Sequence, residues 1–151
     1  MDTPEIMTKP LIRVKKLNPN ARVPERASDG ATGFDLYACL DKGGVTLSQQ
    51  PIRVPTGIAI EAEEGLDVQI RPRSGLSAKG VMVTFGTIDP DYRGELLVNM
   101  YVLPEAEGYA LHHGDRIAQL VITRSLAVQF DETDELADTE RGPNGHGSTG
   151  R

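Results

Sequence analysis

Short apolar segments, separated by turn residues, recur along this chain from Leu11 to Phe130. Residues 66–71 alternate strictly between apolar and polar side chains, which is the pattern of a strand with one buried face. The chain contains 16 glycines and 10 prolines, so turns are frequent and long helices are disfavoured. We predict one short helix, over residues 74–79, because Gly80 would end it. The predicted fold class is therefore all-β, a jelly-roll-like β-barrel or sandwich.

The composition limits the kind of protein this can be. A chain of 151 residues with 38% hydrophobic and 25% charged residues is typical of one globular domain. It has no apolar run long enough to span a bilayer and no secretory signal at its start, so we expect a cytoplasmic protein without a membrane partner. The net charge of −6 argues against a nucleic-acid partner, although clustered arginines could still bind a small phosphate ligand.

The composition changes after Phe130. Residues 116–122 form the last predicted core strand, which we expect 126–130 to extend, whereas residues 131–140 include six acidic side chains. We therefore predict a core over residues 1–130, with a loose N-terminus over 1–10, and an acidic linker and Gly-rich mobile arm over 131–151. A tail without function would have the same composition. Its Gly, Ser and Thr residues, however, are suited to wrapping a bound phosphate.

Residues 86–94 connect two apolar, β-branched runs and so predict the link of a β-hairpin. This link carries Asp89, Tyr92 and Arg93 in addition to ordinary turn residues. A carboxylate, a ring and a cation held close together suit a site that orders water beside a polyanion. A decorated surface turn is the simpler interpretation of this motif taken alone.

Two polar side chains interrupt apolar strands. Asp35 must be paired, hydrogen-bonded or near a metal, because an unpaired buried charge is very costly. A salt bridge to Arg116 and a metal role are equally compatible with the sequence. Gln119 could contact a phosphate or a metal-bound water, or it could be a satisfied polar group of the core.

The predicted helix begins with residues that suit phosphate binding. Arg73, Ser74 and Gly75 would bring a guanidinium, a hydroxyl and backbone N–H groups to one point. Ser74 could also simply cap the helix. The adjacent His112 and His113 would point to opposite faces of a strand, and no His or Cys group has the spacing of zinc ligands.

Five segments, taken in order, resemble the five motifs of the trimeric dUTPases (deoxyuridine triphosphate nucleotidohydrolases). They are residues 31–38, 71–79, 86–94, 114–122 and 141–150. The resemblance implies a homotrimer of jelly rolls with sites shared between subunits, and an arm that closes over the nucleotide. It also implies Mg²⁺-assisted hydrolysis of dUTP to dUMP and pyrophosphate, which limits uracil in DNA and supplies dUMP for thymidylate synthesis.

The resemblance also assigns roles to individual residues. Asp89 corresponds to the base that activates the water attacking the α-phosphorus, and it also receives the sugar 3′-hydroxyl. Tyr92 resembles the ring packed under deoxyribose, and Asp35 the carboxylate near the water shell of the metal. The other substrate-binding positions are Arg73, Ser74, Gly75 and Gln119 near the phosphates, Thr87, Ile88 and Leu97 near uracil, and Arg141, His146, Gly147, Ser148 and Thr149 in the arm.

The sequence departs from the family pattern at two positions. His146 stands where the arm often has a Phe that stacks on uracil, and Val83 stands where some bacterial relatives have an Asn that helps read the base. Two alternatives remain open. A dCTP deaminase shares the core but has a Glu where Asn99 stands and tends to have a Ser at Gly75. A non-catalytic jelly-roll binding module would have no use for Asp89 and Tyr92 together with a Gly/Ser/Thr arm.

Overall fold

The computed structural model describes residues 8–106 and 108–147. Over these residues the fold is nearly all-β with one short α-helix, which confirms the predicted class. The strands are β1 (Ile12–Lys16), β2 (Phe34–Tyr37), β3 (Val45–Thr46), β4 (Ile52–Pro55), β5 (Ile58–Ala62), β6 (Leu66–Arg71), β7 (Val81–Val83), β8 (Gly86–Ile88), β9 (Leu97–Val102), β10 (Ala110–Leu111) and β11 (Arg116–Arg124). The helix is α1 (Ser74–Ala78), and a 3-10 turn covers Pro104–Ala106.

The strands form four sheets. The largest has the order β2-β11-β6-β8, the next has the order β4-β9-β7, and β1-β5 and β3-β10 are two-stranded. Their apolar faces enclose one core, in which Leu36, Val98, Met100 and Ile117 are almost completely buried. The sheets stay open in the described part of the chain, so of the two predicted forms the sandwich is right and the closed barrel is wrong.

The helix begins and ends where the sequence predicts. Arg73 is its N-cap residue and has no capping bond from its side chain, so Ser74 is the first helical residue and not the cap. Gly80 has a φ of 79° and donates its N–H to Ser77 O, which ends the helix. The helix has one buried side chain, Leu76, which packs into the hydrophobic core. No helix in residues 8–106 and 108–147 is long and apolar enough to cross a membrane.

The predicted hairpin is more complex than a loop between two strands. Its arms do pair, with Val81 opposite Val102. However, Gly86–Ile88 forms a strand of its own, which leaves the hairpin and pairs with β6 of the four-stranded sheet. Residues 89–94, which we call the Asp89 bend, therefore connect two different sheets.

The last strand is shorter than predicted. β11 ends at Arg124, and the Ser125 N–H still donates to Gly65 O. Beyond it, Leu126, Val128 and Phe130 are 83%, 69% and 93% exposed. The predicted extension of the core strand through 126–130 is therefore wrong for the single chain, because no strand in the described residues lies beside this segment to pair with it.

Candidate active site

A buried carboxylate organises the first part of the site. Asp35 lies on β2 and is 8% exposed. Its Oδ1 lies 3.3 Å from Arg73 Nε, and its Oδ2 lies 3.9 Å from Arg116 Nη1. The ion pair with Arg116 that the sequence left open is thus present, and Arg73 joins it. We call Asp35, Arg73 and Arg116 the guanidinium cluster; with two cations and one anion it carries a net positive charge.

Two further contacts lock this cluster to its neighbours. Arg73 Nη1 donates to Arg116 O over 3.2 Å, and Gln119 Nε2 donates to Pro72 O over 2.9 Å. These bonds join the start of α1 to β11. Ser74 and Gly75 follow Arg73 directly and are exposed. The structure therefore brings these predicted phosphate-binding residues to one surface.

Gly33 is a site residue that the sequence reasoning did not single out. A Cβ at this position would overlap the side chain of Gln119, with Cδ only 2.8 Å away. Glycine is needed here for space and not for backbone conformation. The only signal in the sequence is a glycine just before an apolar strand, and such a signal does not reveal which side chain fills the space.

The Asp89 bend forms the second part of the site. Tyr92 N donates to Asp89 O over 3.0 Å, and Tyr92 Oη donates to Glu95 O over 2.8 Å. A Cβ on Gly94 would lie 2.7 Å from Tyr92 Cζ, so glycine allows the ring to fold back over the bend. The Asp89 side chain is exposed and Tyr92 is 43% exposed, so both are accessible to a ligand.

The bend rests on an apolar cleft that admits no water. Asp89, Pro90 and Tyr92 line this cleft together with apolar side chains of β5, β6 and β8. The cleft therefore supports the bend and is not itself a nucleotide pocket. The predicted uracil-contacting residues flank the bend, Thr87 and Ile88 on β8 and Leu97 at the start of β9.

Asp35 and the Asp89 bend lie toward opposite edges of the four-stranded sheet, and Arg73 follows the end of β6 that is away from the bend. Asp35 on β2 is opposite Gln119 on β11, while Thr87 on β8 is opposite Gln69 on β6. The edge strands β2 and β8 are three strand spacings apart, which is about 14 Å. Within one chain, Asp89 is therefore not brought to the guanidinium cluster.

The hydrogen bonds described for the arm, up to residue 147, do not connect it to either part of the site. Arg141 Nε donates to Asn144 O over 2.8 Å, and Gly142 N donates to Thr139 Oγ1, so these bonds stay within the arm. His146 has a φ of 50° and is exposed, as is Gly147. The predicted contacts Ser148 and Thr149 lie outside the described residues.

Three other positions bear on the predictions. Val83 is 5% exposed and belongs to the core cluster, so its side chain does not line a surface site. Asn99 Nδ2 donates to Thr84 Oγ1 over 3.2 Å. Burial raises the pKa of the Cys39 thiol, and the nearby Glu95 and Asp41 carboxylates raise this pKa further, which makes Cys39 a poor nucleophile.

The described residues contain no group of three or more His, Cys, Asp or Glu side chains that could hold a metal ion. Both oxygens of Asp35 face guanidinium groups, which occupy the directions a directly bound metal would need. This donor set does not fit a resident metal centre built from protein ligands alone. It fits a divalent ion that arrives on the phosphates of a ligand and meets Asp35 through water.

Comparisons with known proteins show the family of the chain. The dUTPase family model matches residues 19–150. The deoxyuridine 5′-triphosphate nucleotidohydrolase of Hydrogenobaculum sp. is 48% identical over 140 residues, which cover 91% of this chain and 96% of that protein. The chain therefore belongs to the dUTPase family.

Two solved structures share the fold. The dUTPase of Staphylococcus bacteriophage 80alpha with dUPNHPP aligns with a TM-score of 0.79 at 29% identity, covering 93% of this chain and 99% of that one. A mutant dUTPase from phage phi11 of S. aureus aligns with a TM-score of 0.70 at 25% identity, covering 83% and 97%. The phi11 structure reveals the coordination of a structural Mg(II) ion.

Proposed function

We propose that this chain hydrolyses dUTP to dUMP and pyrophosphate, with Asp89 as the base. The observation that carries the proposal is the family match over residues 19–150, which includes both the guanidinium cluster and the Asp89 bend. The activity would limit uracil incorporation into DNA and supply dUMP for thymidylate synthesis. The cytoplasmic location and the lack of a nucleic-acid partner stay predictions from the sequence.

Asp89 is suited to positioning the attacking water. Its side chain is exposed, while its carbonyl is fixed by the Tyr92 N–H, so the carboxylate projects from a defined backbone. It would orient and deprotonate water in line with the α-phosphorus and accept the 3′-hydroxyl. The ring of Tyr92 packs under deoxyribose, and Thr87, Ile88 and Leu97 surround uracil.

The guanidinium cluster is suited to the phosphates. Asp35 holds Arg73 in place, so the cation is oriented before a ligand arrives, and less side-chain freedom is lost on binding. Ser74, Gly75 and Gln119 complete this surface. In the arm, Arg141 would meet the γ-phosphate and His146 would lie over the base. The next arm residues, Gly147, Ser148 and Thr149, would also contact the nucleotide. These cationic groups stabilise the charge that develops on the leaving pyrophosphate.

The substrate is then the Mg²⁺ complex of dUTP. The ion neutralises charge on the phosphates, and Asp35 would bind one of its waters. The protein's own contribution remains the binding and orientation of the triphosphate and the removal of the water proton at Asp89.

The working enzyme is a homotrimer with sites shared between subunits. The distance between the guanidinium cluster and the Asp89 bend within one chain supports this, because one nucleotide would need the cluster of one subunit and the bend of another. Residues 126, 128 and 130 present an exposed apolar face with a period of two, as a strand awaiting a partner would.

A groove on the surface of the same chain is suited to binding the segment 126–130 of another subunit. It has a volume of about 910 Å³, is lined by Ile12 and Val14 of β1 and by Leu120 and Ile122 of β11, and carries cations such as Arg26. In the described sheets β1 pairs with β5 alone, so its other edge is open. The segment 126–130 of a neighbouring subunit fits this groove, and the acidic residues after it would face the cations.

The test is a parallel assay of the purified full-length chain with dUTP and with dCTP, both with Mg²⁺. We expect pyrophosphate from dUTP and no ammonia from dCTP, since Asn99 cannot shuttle a proton and is bonded to Thr84. Ammonia release would instead identify a deaminase, and no product from either nucleotide would identify a binding module. Light scattering of the same sample should give the mass of a trimer.

A further inference from the structure

Arg93 has no role in the scheme above, yet it is the most connected side chain of the Asp89 bend. Its Nη1 donates to Pro90 O over 2.7 Å and to Tyr92 O over 3.1 Å. These two carbonyls lie on either side of Asp91 in the turn. The guanidinium therefore closes the bend from inside and does not point away from it toward a ligand, as its charge alone would suggest.

The other end of the guanidinium is tied to a different sheet. Arg93 Nη2 lies 3.6 Å from Glu61 Oε1 on β5, and Glu61 Oε2 lies 3.7 Å from Arg13 Nη1 on β1. The Glu61 and Arg93 side chains are about half exposed. An exposed ion pair of this kind contributes little stability by itself. Its value lies in orientation, because it fixes the plane of the guanidinium while Nη1 holds the two carbonyls.

The two ends of the bend are held by different contacts. On the C-terminal side, Tyr92 Oη bonds to Glu95 O, and Glu95 Oε2 accepts the Gly57 N–H over 2.9 Å. On the side of Asp89 and Pro90, the side-chain contact to the backbone is that of Arg93. Loss of Arg93 would therefore leave the Tyr92 ring anchored through its hydroxyl and loosen the backbone beside Asp89, which would keep its bond to the Tyr92 N–H but lose the brace at Pro90 O.

We propose that Arg93 is a positioning residue for hydrolysis, oriented by Glu61, which fixes the carboxylate of Asp89 relative to the ring of Tyr92. This inference rests on the proposed function. A planar fork is required, because one group must serve two carbonyls and a carboxylate at once, and an ammonium on a flexible stem does not reproduce that geometry. Small displacements of a catalytic group cost up to about 10²-fold in rate.

The test compares Arg93→Ala, Arg93→Lys and Glu61→Gln with Arg13→Ala, which removes the other cation on Glu61 and serves as the matched control. We expect Arg93→Ala to lower kcat about 10- to 100-fold with a much smaller change in KM, since Tyr92 stays in place. Arg93→Lys should recover only a small part of that loss, Glu61→Gln should have an intermediate effect, and Arg13→Ala should match the wild type.

A second measurement does not depend on turnover. The Tyr92 amide, which is bonded to Asp89 O, should exchange its hydrogen faster in Arg93→Ala than in the wild type, as followed by NMR. A wild-type kcat in Arg93→Ala would overturn the inference, as would full recovery by Lys or an equal loss in Arg13→Ala. Unchanged Tyr92 exchange would overturn it as well. Failure of the proposed function is a different result, namely a wild-type protein that does not hydrolyse dUTP.

Discussion

In the guanidinium cluster, the contacts join residues that are far apart in the sequence, since Asp35 on β2 meets Arg73 before α1 and Arg116 on β11. In the Asp89 bend, most of the contacts that shape the turn join residues within three positions of each other. The cluster is built around a buried carboxylate and is formed without a ligand, whereas the bend is exposed and braced by its own side chains. Under the proposed function, phosphate binding would thus depend on the whole fold, and placement of the base would depend mainly on a local motif.

The largest effect should come from removing the base without altering the bend. Asp89→Asn keeps the size of the side chain but cannot take a proton, so turnover should fall about 10²–10⁴-fold. Binding of a non-hydrolysable imido analogue, measured by calorimetry, should be retained. Asp91→Asn, an exposed carboxylate on the same bend, is the control. Near-normal hydrolysis by Asp89→Asn would remove Asp89 from the mechanism.

Truncation of the arm tests whether the guanidinium cluster is sufficient for the phosphates. Deletion of residues 141–151 removes the Arg141 cation and the Gly/Ser/Thr segment, so hydrolysis should fall about 10²-fold. The thermal unfolding midpoint should not change, because the described hydrogen bonds of residues 139–144 stay within the arm. An unchanged rate would mean that the arm is an inert tail.

Asp35→Asn should lower the stability of the fold, which the substitutions in the bend should not do. It leaves two guanidinium groups near each other without their shared carboxylate, and because both are partly exposed to water the free energy of unfolding should drop by only about 1–2 kcal/mol. Urea unfolding measures this. Asp67→Asn, a half-buried carboxylate of β6 that hydrogen-bonds Gln69 and Thr123, is the control and should have a much smaller effect. Equal stability of Asp35→Asn and wild type would show that the pairing contributes nothing.

The smallest effect should come from Gly33→Ala. The added methyl group overlaps the end of the flexible Gln119 side chain, so the cost to stability should be only about 1 kcal/mol. Gln119 would lose its bond to Pro72 O, and the KM for dUTP should rise. Gly30→Ala is the control, because a Cβ there meets nothing within 4 Å. An unchanged KM would separate Gln119 from phosphate binding.

Much of the fold could be predicted from local patterns. The alternation in residues 66–71 predicts a strand with the bounds that the structure shows, and α1 begins at Ser74 as expected. The prediction of a simple hairpin loop failed at Gly86–Ile88, because three residues of this kind have the same pattern whether they continue a hairpin or join another sheet. The sequence prediction failed again at 126–130, whose alternation indicates a strand but does not show whether the fold supplies a neighbouring strand.

The sequence by itself determined the all-β class, the position of the short helix, the family and the residues of the Asp89 bend, because these depend on side-chain period, turn chemistry and motif order. The tertiary structure alone decided that Arg73 shares Asp35 with Arg116, that Gly33 makes room for Gln119, and that Asp35 and the Asp89 bend lie toward opposite edges of one sheet. The physical reason is the same in each case. Such contacts join distant segments, and their geometry is set by how the sheets pack, which no local pattern of residues records.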